Sequence, residues 1–286
     1  MKKIFPLLVF LSMTLTSVSQ HKEILGTCSV NELKQEPFAS WYNSGLNTYN
    51  PNTEILGQLK KINLSKITFK VFFGTWCGDS RRELPHFSKL MNELSISEKN
   101  IQWIAVDDSA AFYKQSPQRE EKGLNIFRVP TFIVYEKNLE VGRIVEFPCE
   151  TLERDLLKIL SHQPYESNYR SFPVIASWLS NGMLADVNVS ARGLAEQVHS
   201  KIIREGELGS CAYVLLAQGK TQEAVVIYRM NANLFPNSAF CFERLGAVYA
   251  MTGQTEKSTQ AYERALELDP KNENVKNQLA KLKTGK

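Results

Sequence analysis

The sequence predicts two folded parts: an α/β domain and, C-terminal to it, an all-α domain of repeated helical hairpins. Three observations carry this. Strand-like apolar runs alternate with helix-like runs between residues 52 and 160, the order of a layered α/β domain. Residues 205–286 repeat at a 34-residue period, the length of one paired-helix unit. The length of 286 residues suits about two domains.

Met1-Lys2-Lys3 followed by the apolar run 4–18 reads as an export signal, with Ser17 and Ser19 as the small residues before cleavage. Residues 1–19 are therefore the expected signal peptide, and the expected location is the periplasm. An uncleaved membrane anchor, or a lipoprotein modified at Cys28 within Leu25-Gly26-Thr27-Cys28, are the alternatives. Residues 20–50 read as a polar, irregular extension that Phe38, Trp41, Tyr42 and Tyr49 anchor to the next domain.

The α/β domain is expected over 51–162. Ile55, Leu56, Leu59 and Ile62 recur at a helix period. Residues 67–73 form a strand, 81–94 a helix and 100–106 a second strand, an order that implies a parallel pair with a right-handed crossover. Asp107 and Asp108 end that strand. They are solvated loop acids, or a site for a metal or a cationic group. Residues 109–125 read as a polar loop with a short helix. Val129-Pro130-Thr131 leads into a strand over 132–135, a turn at Lys137-Asn138 and a return strand over 141–146. A helix over 151–160 closes the domain.

Between the first strand and its helix lies Trp76-Cys77-Gly78-Asp79-Ser80. A cysteine there meets the unpaired N–H groups and positive dipole end of the helix, which favour a thiolate. Arg81 and Arg82 act in the same sense, and Asp79 opposes them. Ser80 stands where a second cysteine would complete a C-x-x-C pair. Cys77 can attack a disulfide, but no neighbouring sulfur releases the mixed disulfide.

Residues 163–204 link the two halves, with helices expected over 174–179 and 194–203. In the C-terminal part Gly219 and Gly253, Ala224 and Ser258, Tyr228 and Tyr262, and Pro236 and Pro270 stand one period apart. Each class has a packing role. The glycines form turns, the aromatics fill the seam between helices, and the prolines end the second helix. Residues 272–282 read as a polar capping helix. Two repeats cannot bury a continuous core alone, so the linking helices, the α/β domain or another subunit must cover them. Cys211 and Cys241 fall on successive first helices, where two reduced, buried thiols are expected rather than a disulfide.

The strand followed by Trp76-Cys77, Pro85 eight residues after the cysteine, and Val129-Pro130-Thr131 before the late hairpin together resemble the thioredoxin-like family over residues 51–162. The run Phe242-x-x-Leu245-Gly246-x-x-Tyr249 with Gly253, Tyr262, Ala265 and Pro270 is similar to the tetratricopeptide repeat. The first resemblance implies a thioredoxin-like fold with Cys77 as nucleophile. It implies a cis peptide before Pro130, with Val129 beside Cys77 and with Val129 and Thr131 as substrate-binding positions. Trp76 would shield the thiol, and Ser80 would hydrogen-bond it. Two departures stand out. Ser80 replaces the second cysteine, and Val71 stands where many of the family bury an aspartate. Both argue against a two-cysteine reductase cycle.

Composition narrows the function. The formal net charge is +4, and two of the lysines lie in the signal segment. With no basic cluster interleaved with aromatics, nucleic acid is not an expected partner. The five cysteines and four histidines show no metal-ligand spacing, so no metal and no cofactor is expected. Two functions remain. One is monothiol thiol–disulfide exchange on exported proteins or peptides. The other is a protein-binding or scaffold protein whose α/β domain does no redox chemistry.

Overall fold

A computed structural model describes residues 23–186 and 188–284. The signal segment 1–19 lies outside the described residues.

The α/β part is built on a five-stranded mixed sheet: β1 (Gly26–Cys28), β2 (Ile67–Phe73), β3 (Ile101–Ala105), β4 (Thr131–Glu136) and β5 (Leu139–Val145), in the order β1-β3-β2-β4-β5. β2 and β3 are parallel, with Val71 opposite Trp103. The pairs β1–β3, β2–β4 and β4–β5 are antiparallel. Alternate residues of β2 point to opposite faces. Phe69, Val71 and Phe73 enter one core with Trp103, Phe132, Leu84 and Phe87, whereas Phe72 joins Ile104, Val106, Ile126 and Ile133 on the other face.

The first core is covered by short helix α1 (Val30–Leu33), α2 (Ala39–Thr48), α3 (Thr53–Leu59), α4 (Gly78–Glu93) and α5 (Leu152–Leu160). Here the structure corrects the expectation for the 20–50 segment over its described residues, 23–50. They are not irregular: they supply the sheet edge β1 and the helix α2 that packs on α4. The three-residue β1 carries no readable alternation, and its strand state comes from pairing with β3. Where α2 crosses α4, Gly45 lies against Pro85, and a Cβ there would stand 2.3 Å from Pro85 Cγ. The Tyr42 hydroxyl donates to Ser88 Oγ at 2.7 Å in the same seam.

The second sheet face is covered by the long connection after β3. It contains turns and no helix across 109–125, against expectation. Lys114, Arg119, Gly123 and Asn125 all have positive φ, which interrupts any helical run. Asp107 and Asp108 enter this connection, and Asp107 Oδ1 accepts from the Ser109 N–H at 2.6 Å as a local turn. Among the described residues no cluster of acidic, histidine or cysteine side chains is arranged to hold a metal ion.

The C-terminal part is all helical: α6 (Phe172–Ser180), α7 (Ala191–Val198), α8 (Gly206–Ala217), α9 (Thr221–Leu234), α10 (Ala239–Met251), α11 (Thr255–Leu268) and α12 (Glu273–Thr284). The helix expected over 194–203 begins earlier, at Ala191 behind the Ser190 cap, and tightens into a short 3-10 turn at His199–Lys201. α8–α9 and α10–α11 are hairpins, and α12 packs on α11. Gly219 and Gly253 sit in their turns at φ of 75° and 71°, a conformation that glycine adopts without strain. Gly246 lies under Tyr262, and Ser258 Oγ donates to its carbonyl at 2.8 Å.

The missing cover for two repeats comes from within the chain. α7 packs on α9, and Phe127 and Val145 of the α/β part enter the same core as Leu208, Val214 and Tyr228. No helix among the described residues is long and apolar enough to cross a membrane.

Candidate functional site

β2 ends at Phe73, and α4 begins five residues later. Gly74 is required in this short passage, because a Cβ on it would lie 2.4 Å from the Trp76 indole. The Trp76 Nε1–H donates to the Val106 carbonyl at 3.0 Å, which pins the indole over the end of the sheet. Cys77 is the N-cap residue of α4, in extended conformation, and its side chain caps no backbone N–H. Its partly buried sulfur donates to the Val129 carbonyl at 3.2 Å.

The partner loop is held from several sides. The Val129–Pro130 peptide is cis. The Thr131 hydroxyl donates to the Arg128 carbonyl at 2.7 Å, and Thr131 pairs with Phe72 in the sheet. Thr131 is buried, so its hydroxyl serves the loop. Val129 is likewise buried, and its carbonyl oxygen faces the thiol.

Ser80 differs from expectation. It is fully buried, and its Oγ accepts from the Gly74 N–H at 3.3 Å instead of approaching Cys77. Ser80 thus closes the β2–α4 passage. The two arginines after it are also engaged. Arg81 Nε donates to the Thr75 carbonyl at 2.7 Å, and Arg82 bridges Asp79 and Glu83, each at 2.7 Å. His86 faces the other way and stacks on Tyr49 with ring centroids 4.5 Å apart. Val71 is fully buried between β3 and β4.

The other thiols lie in different surroundings. Burial, with Glu32 nearby, pushes Cys28 up to about 12. Burial pushes Cys241 up to about 11 and also raises Cys211. Cys149 is exposed, yet desolvation and Asp155 raise it too. All five cysteines are free. Cys241 accepts from Asn231 Nδ2 at 3.2 Å, as a reduced thiol in the seam.

One group beside Cys77 was not foreseen in the sequence. Lys114, from the connection after β3, is 4% exposed, and its ammonium donates to the Phe127 carbonyl at 2.8 Å. Burial, reinforced by Arg128, pushes its amine down to about 7, while Glu146 and Cys77 act in the opposite sense. Tyr113 before it packs on Trp76 at 5.8 Å and on Tyr213 of α8 at 4.7 Å. A lysine in a polar loop reads as a solvated charge, and nothing in its neighbours marks it as buried.

These residues also join the two halves. Ser210 Oγ of α8 donates to the same Phe127 carbonyl at 2.6 Å, and Arg128 Nη2 donates to the Gly206 carbonyl at 2.9 Å. Gln115 Nε2 reaches the Ala217 carbonyl at 2.9 Å. The loop that faces Cys77 is thereby held against the first repeat helix.

A search of curated proteins finds no match for this chain. Residues 239–272, comprising α10 and α11 with their flanks, match the tetratricopeptide repeat family, which agrees with the period in the sequence and the hairpins in the structure.

Proposed function

We propose that this chain is an exported thioredoxin-like protein that performs thiol–disulfide exchange through Cys77 alone and uses its repeat half to bind proteins. The observation that carries the reading is the Cys77 sulfur at the α4 N-cap residue, 3.2 Å from the Val129 carbonyl and partly exposed. The strand order, the position of α4 directly after the central β2, and the cis Val129–Pro130 loop support the thioredoxin-like assignment.

The chemistry follows from the one sulfur. The Cys77 thiolate attacks a substrate disulfide, a new S–S bond forms to Cys77, and the displaced substrate sulfur leaves as thiolate. On return, attack on the mixed disulfide releases Cys77 as the leaving thiolate. Ser80 occupies the position from which a second cysteine would resolve the intermediate, so an external thiol or a second substrate cysteine completes the cycle.

The test is trapping of mixed disulfides in cell extracts with wild-type protein and Cys77→Ala. Covalent adducts mapped to Cys77, and lost in Cys77→Ala, are expected. Their absence under mild oxidant rejects exchange.

A second reading, binding without redox chemistry, has its own support. A groove of about 750 Å³ runs between α7, α9 and α10, lined by Arg192, His199, Arg229, Phe242 and Tyr249. On that reading, partner capture survives Cys77→Ala and fails when the groove is altered.

A further inference from the structure

The junction between the two halves encloses a pocket of about 400 Å³, within the size range of small-molecule sites. Lys114 and Arg128 come from the α/β part, Ser210 and Tyr213 from α8, Tyr228 from α9, and Phe240 and Arg244 from α10. No carboxylate lines it. Arg128 is charge-paired with Glu146 at 3.0 Å, behind the pocket. That leaves two cations without a carboxylate partner among the described residues. Lys114 has the Phe127 carbonyl and the Tyr113 ring, 4.8 Å from its ammonium, and Arg244 rests on the Phe240 ring at 5.0 Å. Lys114 is nine-tenths buried and Arg244 is exposed, so charge runs from the floor to the mouth. Burying an ammonium against neutral neighbours is costly, and an anion seated beside it would offset that cost.

The pocket adjoins the thiol site through Tyr113. Tyr113 and Lys114 line it, and Lys114 holds the Phe127 carbonyl of the loop whose Val129 carbonyl meets the Cys77 sulfur. Tyr113 also packs on Trp76, the residue before Cys77. A ligand held by Lys114 and Arg244 therefore lies next to the Tyr113–Trp76 contact and the 127–129 loop that flank Cys77.

We infer that this pocket binds the anionic group of the Cys77 substrate, so that the preferred substrates are disulfides carrying a carboxylate or phosphate on a flat or apolar body. The inference rests on the exchange reading above. The ring faces of Tyr213, Tyr228 and Phe240 take the body, and Lys114 and Arg244 take the charge. The reaction is Cys77 thiolate displacing one thiolate from the disulfide. One S–S bond breaks and one forms, with no outside oxidant.

Two probes separate charge from reactivity: dithiobis(nitrobenzoate), which carries carboxylates, and neutral dithiodipyridine. The rate at Cys77 is the difference between wild type and Cys77→Ser at pH ~7 and low salt. Wild type is expected to favour the anionic probe. Arg244→Gln and Lys114→Met should each lower the anionic-to-neutral ratio roughly fivefold, the worth of one partly solvated charge. Lys271→Gln, a cation at the far end of the repeats, should leave the ratio unchanged. Calorimetry with nitrobenzoate, which has no sulfur, examines the pocket without the thiol, and its affinity should fall in the same two variants. A ratio indifferent to both substitutions, or no nitrobenzoate binding, overturns the pocket while leaving exchange at Cys77 intact. Nitrobenzoate binding with no reaction of either disulfide at Cys77 overturns the exchange reading and, with it, the substrate role of the pocket.

Discussion

Replacing Lys114 by methionine should stabilise this protein near neutral pH, and the gain should shrink as pH rises. Lys114 is buried, and its amine is pushed from 10.5 to about 7, chiefly by that burial. Between those values the unfolded chain holds a proton that the folded chain does not. Stability from this group therefore rises with pH across that window, and below pH ~7 the full penalty is present. At ~1.4 kcal/mol per pH unit the penalty approaches roughly 5 kcal/mol in acid, and about 2 kcal/mol of it is relieved between pH ~7 and ~9. Arg128, Glu146, Tyr113, Cys77 and Cys211 are the ionisable groups that act on Lys114, and all remain in the variant. Methionine matches the lysine stem in volume and loses one hydrogen bond, worth about 1 kcal/mol. The Phe127 carbonyl keeps the Ser210 hydroxyl as donor at 2.6 Å, so no acceptor is orphaned. The expected net gain is roughly 3–4 kcal/mol at pH ~7 and about 1 kcal/mol at pH ~9. Denaturant unfolding of both proteins across this pH range measures the difference directly, with other titrations cancelling. A difference that does not change with pH, or a less stable variant at pH ~7, would refute the reasoning.

Cys77 should alkylate faster than Cys28, Cys149, Cys211 and Cys241, because burial raises those four thiols while Cys77 is the partly exposed N-cap residue of α4. Site-resolved alkylation by mass spectrometry checks this, and a Cys149 rate equal to that of Cys77 contradicts it. Ser80→Cys should form a disulfide with Cys77 under mild oxidant and raise insulin-reducing activity, with a loss of about 1 kcal/mol from the bond to Gly74 N–H. Failure to form it would mean that the buried side chain at this position stays turned to the Gly74 passage. Gly246→Ala should lower the stability of the repeat half by roughly 1–3 kcal/mol, because the new Cβ would lie 2.6 Å from the Tyr262 ring. A melt unchanged from wild type would show that Tyr262 yields without cost.

What was legible in the sequence was local or periodic. Cys77 was readable because a strand end, a cysteine and a helix start are neighbours in the chain, and the structure indeed makes it the N-cap of α4. The repeats were readable because Gly219 and Gly253 answer a backbone need that recurs at each hairpin turn. What depended on distant partners was not. β1 is a strand because β3 pairs with it, with Cys28 opposite Trp103. Ser80 was expected beside the thiol, yet the nearest unpaired backbone donor, Gly74 N–H, takes its oxygen. The sequence alone thus determined which cysteine stands between a strand end and a helix start and that a helical-repeat half follows it. Only the tertiary structure decided what surrounds that sulfur. It carried Lys114 out of a polar loop into the junction and set Tyr113 against Tyr213 at a steep tilt. The physical reason is that burial and charge at a junction arise from segments about a hundred residues apart, as in Gln115 with Ala217, and no neighbour in the chain records them.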